Sequence, residues 1–89
     1  MIKYYIVSEI DVRPNGEDGD SFNYYEGTDF ESAKKALSEI MILCKKFAFG
    51  KSRAEGRILL LPDDVDLNDE DSLNDAICDA YMSYDTFEV

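Results

Sequence analysis

The 89-residue sequence contains no histidine and no tryptophan, and only two cysteines and two prolines. Without histidine, no side chain has an unperturbed pKa near neutrality, and Ser-His or Cys-His nucleophile pairs cannot be assembled. Cys44 and Cys78 are too few for a tetrahedral thiolate site, and they form no C-x-x-C pair. The opening segment MIKYYIVSEI has no signal-peptide apolar core. These features together read as a reduced, cytoplasmic chain with two free thiols. The longest aliphatic run, Ile58 to Leu61, is far below bilayer-spanning length, so no membrane association is expected. No glycine-rich phosphate loop, nucleophile elbow or internal repeat is present.

Positive charge is also scarce. Acids outnumber bases 20 to 9, a net charge of −11 at pH 7. Direct nucleic-acid binding is not expected, because displacing counterions from phosphates needs a surplus of Lys and Arg. The chain is nonetheless no disordered acidic tail: it is 45% apolar, with six Tyr and five Phe. Its length suits one domain over 1–89.

Alternation over residues 1–12 predicts a half-buried strand with Ile2, Tyr4, Ile6, Ile10 and Val12 on one face and Lys3, Tyr5, Val7, Glu9 and Asp11 on the other. Turn formers from Pro14 to Asp20 stop it. Ser21–Gly27 then predicts a second strand, antiparallel to the first, with Phe22 and Tyr24 opposite Asn23 and Tyr25. Thr28 and Glu31 have the spacing of a capping box. The helix behind it, about 29–49, carries Ala33, Ala36, Leu37, Ile40, Met41, Leu43, Cys44, Phe47 and Ala48 as an apolar stripe, with Gly50 as its stop.

After a polar link over 51–56, Arg57–Leu61 predicts a central strand closed by Pro62. Asn68 or Asp69 caps a second helix whose stripe is Leu73, Ala76, Ile77, Ala80, Tyr81 and Tyr84. Thr86–Val89 either frays or forms an edge strand. The fold expected is α+β, in the order β-β-α-β-α, with a three-stranded, mainly antiparallel sheet packed with two helices. The face taken by the second helix is left open. So small a core is compatible with a homodimer burying spare Tyr and Phe.

Charge is segregated along the chain. Residues 1–30 are net −5, residues 31–57 net +4, and residues 58–89 carry ten acids and no base. Asp71, Asp75 and Asp79 recur every fourth residue, which places them on one helix face about 6 Å apart. Like charges at this spacing destabilise a helix by roughly 0.2–0.5 kcal/mol per pair. The dipole explains Asp69, Glu70 and Asp71 at the helix start but opposes Asp79 and Asp85 near its end.

Asp64, Asp66 and Asn68 match positions 1, 3 and 5 of a calcium loop, but Asp69 stands where glycine is required and Asp75 where a bidentate Glu is required. No metal and no cofactor is therefore expected. Twenty acids guarantee some close carboxylate pair, yet no feature marks a cleft with contrasting environments for two of them, and no catalytic residue is assigned.

The acid reads either as a solvated face that keeps a small protein soluble or as a surface that meets a basic partner. Rows of carboxylates can imitate the rows of phosphates on DNA. In size, charge and lack of catalytic residues, the chain resembles the small acidic inhibitors of phages and mobile elements, including anti-CRISPR and anti-restriction proteins. The expectation is a non-enzymatic binding protein that occupies a basic nucleic-acid groove of a defence effector. Its contacts would be Asp63, Asp64, Asp66, Asp71, Asp75 and Asp79, with Tyr5 and Tyr25 as short-range aromatic contacts. The competing expectation is a structural or regulatory protein, a homodimeric adaptor or antitoxin-like partner, whose acid serves solubility. A small-molecule or calcium-binding module is the third class.

Overall fold

In the computed structural model, which describes residues 1–46 and 52–89, the chain runs β1 (Ile2–Val12), β2 (Asp18–Gly27), α1 (Phe30–Lys46), β3 (Ser52–Leu61), α2 (Glu70–Ala80) and β4 (Tyr84–Phe87). The strands lie in the order β2-β1-β3-β4 and every pair is antiparallel. The α+β class and the element order hold as expected. The sheet has four strands rather than three, because Tyr84–Phe87 pairs with Gly56–Leu59 and forms an edge.

The alternation of β1 survives intact, but the strand is not half-buried. Tyr4, Tyr5, Ile6, Val7 and Ser8 are consecutively buried, which requires cover on both faces. β1 and β3 are the two inner strands, and a helix lies on each side of them. On one face Tyr4, Ile6, Leu59 and Leu61 pack against Ile77 and Ala80 of α2, flanked by Ile2, Val65, Leu73 and Ala76. On the other, Tyr5 and Val7 pack against Ala33, Leu37 and Ile40 of α1, flanked by Tyr25, Ala36, Met41, Cys44, Ala54, Ile58 and Phe87. Each fully buried aliphatic side chain contributes about 1.5–3 kcal/mol of transfer free energy. The fold therefore has three layers, helix, sheet and helix, and two thin cores instead of one.

β2 begins at Asp18, so Asp18, Gly19 and Asp20 are strand residues and the turn is confined to the segment before them. Gly16 takes φ +86° there, and Gly16 N–H donates to the Arg13 carbonyl at 2.8 Å. A bulge interrupts the β1–β2 ladder: Val7 pairs with Tyr25 and Ser8 with Asn23, which leaves Tyr24 as the extra residue. The bulge corrects the expected facing. Tyr24 does not lie opposite Tyr25; its hydroxyl donates to Glu9 on the α1 face at 2.7 Å, while Asn23 stays on the α2 face and accepts from Ser8 Oγ at 2.7 Å.

α1 starts one residue later than the Thr28 cap implies. The Asp29 carbonyl accepts from Ala33 N–H at 3.1 Å, and its carboxylate accepts from Ser32 Oγ at 2.6 Å. Leu43 is off the buried stripe and exposed. The expected contributions of Phe47, Ala48 and Gly50 lie outside the described residues. β3 starts at Ser52, so most of the expected link is strand. The run Ile58–Leu61 is not covered throughout: Leu60 pairs with Lys3 beyond the start of α1 and is 48% exposed.

Candidate functional site

The acidic layer is built by a short loop and α2. Pro62 ends β3, and Val65 N–H donates to its carbonyl at 3.3 Å. Asp66 then folds the chain on itself: its carboxylate accepts from Asn68 N–H at 2.9 Å and its carbonyl from Asp69 N–H at 3.1 Å. Asp69 is the N-cap, in extended geometry, with its side chain accepting from Asp71 N–H at 3.2 Å. Glu70 and Asp71 in the first turn complement the helix dipole, and no basic residue occupies the last turn.

α2 turns Ile77 and Ala80 fully onto the sheet, which leaves Asp71, Asp75 and Asp79 exposed on its outer side. Among the described residues, no ion pair reaches any of these three. Asp64 and Asp66 are exposed on the loop below, and Asp63 lies 3.0 Å from the amino group of Met1. The six singled-out aspartates thus occupy the β3–α2 loop and the outer side of α2, all solvent-exposed. The row Asp71, Asp75 and Asp79 lies across the sheet from α1, which packs on the opposite face.

The two tyrosines do not join them. Tyr5 is 7% exposed and sits on the α1 face, with its ring centroid 5.2 Å from Phe30 and 6.0 Å from Phe87. Tyr25 is half-buried on the same face, where its hydroxyl accepts from Asp29 N–H at 3.1 Å and steadies the start of α1. Both serve packing, and the sheet separates them from the aspartates.

The aromatics that do accompany the acidic layer are Tyr81 and Tyr84. Sequence periodicity places them on the buried stripe of α2, but the helix ends at Ala80. Tyr81 is its C-cap and Tyr84 opens β4. Their rings meet edge to face at 6.5 Å, and the Arg57 guanidinium lies 4.9 Å from the first ring and 5.8 Å from the second. Arg57 reaches this position from the α2 face of β3, beyond the end of the helix. Its Nη2 is 3.5 Å from Ser8 Oγ, its Nε is 3.8 Å from Glu55 Oε1, and that buried Nε has no hydrogen-bond partner among the described residues. The sequence signal for this corner was the run Tyr81-Met82-Ser83-Tyr84 directly after the last small core residue, Ala80.

Among the described residues, no group of three Asp, Glu or Cys side chains converges to hold a metal ion. In the calcium-like loop, Asp66 and Asp69 spend oxygens on local backbone N–H groups. A shallow cavity of about 400 Å³, lined by Lys3, Ile58, Leu60, Ser83, Tyr84 and Asp85, contains one carboxylate. Among the described residues, no helix is long and apolar enough to cross a membrane.

Among the described residues, three groups have shifted pKa values. Burial pushes the Tyr4 hydroxyl above the ordinary value of 10.0, with the charges of Glu26 and Tyr25 adding to it. The bond to Glu9 holds the Tyr24 proton, and burial raises the Cys44 thiol.

Searches against protein-family models, curated proteins and solved structures found no match.

Proposed function

We propose that this protein is a non-enzymatic binding protein that uses the α2 layer to occupy a basic surface, the nucleic-acid groove of a defence nuclease or CRISPR effector. The setting would be the cytoplasm of a cell carrying a phage or mobile element. The observation that carries this reading is the row Asp71, Asp75 and Asp79. The three residues are solvent-exposed, set about 6 Å apart along one helix, and free of any ion pair among the described residues. A helix selected for stability alone would place Lys or Arg near its C-terminus and at i, i+4 from Asp. Exposed carboxylates on a rigid rod instead provide an oriented field. Such a field speeds encounter with a cationic groove and excludes acidic partners.

The test is the triple reversal Asp71→Lys, Asp75→Lys, Asp79→Lys, compared with the parent in capture from a bacterial lysate. The fold should persist with little change in stability, because all three positions are exposed and the reversal exchanges two like-charge i, i+4 pairs for two others. The parent should recover a nucleic-acid-binding protein, the variant should not, and added nucleic acid should compete. Parent binding should weaken steeply with salt, chiefly through the on-rate, because steering is screened within about 10 Å at 0.1 M. Equal recovery by both proteins would reduce the acidic layer to a solubility device.

A further inference from the structure

The acidic row supplies steering, but exposed ion pairs contribute little lasting affinity, so a tight complex needs an apolar anchor nearby. Exposed apolar side chains occur in several places on this protein, but Tyr81, Met82 and Tyr84 are clustered at the end of α2 and are 40%, 88% and 46% exposed. The corner that holds them is tightly constrained. Tyr81 N–H donates to the Ile77 carbonyl at 3.0 Å, Met82 N–H to Asp79 at 3.3 Å and Ser83 N–H to Ala80 at 2.9 Å. Arg57 lies against both rings from the sheet side and fixes their orientation. The residue whose carbonyl closes the turn, Asp79, is also the last carboxylate of the acidic row, so the corner continues that surface.

We infer that the Tyr81–Met82–Tyr84 corner is the apolar anchor of the partner-binding surface, seated on an arginine-bearing cationic groove. This rests on the reading of the α2 layer as the partner-facing side. Charge chooses the occupant. With Asp79 closing the turn and no base after Arg57 in the sequence, the side of the corner away from Arg57 adjoins carboxylate, and a partner group that covers it gains by bringing positive charge. Arginine suits the corner better than lysine, because its planar, weakly hydrated guanidinium stacks on tyrosine while its donors reach carboxylates. Arg57 already shows this stacking within the chain. Holding the rings in advance lowers the ordering cost of binding.

The test titrates the full-length protein with an arginine–glycine repeat peptide and a lysine–glycine repeat peptide of equal length, followed by calorimetry and by methyl NMR of Met82. The parent should bind the arginine peptide about fivefold more tightly than the lysine peptide, with the Met82 methyl signal shifting during titration. Met82→Ser, at a side chain too exposed to support the fold, should weaken the arginine peptide alone. Adding Tyr81→Ala should erase the preference, leaving equal affinity for both peptides. If the Asp71, Asp75 and Asp79 reversal abolishes binding of both peptides while the corner variants bind like the parent, the anchor is refuted and the acidic surface stands. If the reversal leaves binding untouched, or neither peptide binds the parent, the acidic surface itself fails and the anchor fails with it.

Discussion

Replacing Gly56 with alanine should detach β4, although Gly56 sits in an ordinary strand conformation. Gly56 pairs directly with Phe87, and the far end of the Phe87 ring lies over it: a methyl group at residue 56 would come within 2.5 Å of Cζ, 2.6 Å of Cε1 and 2.9 Å of Cε2. The ring must move, and it is not free to do so at no cost. It packs at 6.0 Å from Tyr5 and 5.5 Å from Phe30, the contacts that join the edge strand to the α1 core. Each aromatic pair contributes about 0.5–1.5 kcal/mol, so displacing Phe87 from both should cost about 1–3 kcal/mol. For a domain of this size that lowers Tm by roughly 5–20 °C.

Hydrogen exchange should show faster exchange at Tyr84–Phe87 and unchanged protection in β1. The decisive control is the double variant. With Phe87→Ala in place there is nothing left to displace, and alanine is the better strand residue by about 0.5–1 kcal/mol. Gly56→Ala should then be neutral or stabilising. If Gly56→Ala alone melts at or above the parent temperature, Phe87 does not seat on Gly56 and β4 is not docked through that ring.

Leu37 is almost fully buried beneath α1, so Leu37→Asp places an unpaired carboxylate in the core and should abolish cooperative unfolding followed by circular dichroism; a parent-like melt would refute the stripe assignment. Tyr4 has a raised pKa, so the unfolded chain loses this proton first: its contribution is fully present below about pH 10 and is lost as pH rises through the folded value. Tyr4→Phe should therefore melt much like the parent at pH 7 and lose less stability above pH 10, and equal alkaline losses in both proteins would count against this. Cys78 is exposed while Cys44 is half-buried with its thiol pKa raised, so maleimide should modify Cys78 first, as read by mass spectrometry of peptides after brief labelling. The two lie on helices at opposite faces of the sheet, roughly 20 Å apart at ~10 Å per layer, so mild oxidation should yield no intramolecular disulfide.

Local pattern reveals a residue's environment only where one neighbour layer dominates. The apolar positions of α1 and α2 follow the 3.6-residue period because each helix meets the sheet along one stripe, and Leu37, Ile40, Leu73 and Ile77 could be placed from spacing alone. Tyr24 could not, because a bulge adds one residue and turns the side chain to the other face without leaving a mark in composition. Tyr81 and Tyr84 fit the helical period by arithmetic, yet the helix had already ended, and Tyr84 was taken up by pairing with Leu59. Tyr5 was legible as a strand aromatic but not as a buried one, since its cover comes from Phe30 and Phe87, elements far apart in sequence.

The sequence alone determined what is local or additive. The absence of histidine, the −11 charge, the lack of any base after Arg57, a helix cap at Asn68 or Asp69 and the alternation of β1 follow from residue identities and spacing. Tertiary structure alone decided which faces are covered. A strand with apolar residues on both sides is consistent with one helix layer or two, and a short edge strand is too weak a pattern to identify before its partner is known. Folding put α1 and α2 on opposite faces, and this set the acidic row of α2 across the sheet from α1. It also brought Arg57 of β3 beneath Tyr81 and Tyr84, a contact spanning more than twenty residues that no periodicity encodes, because only the pairing of β3 with β4 brings the two segments together.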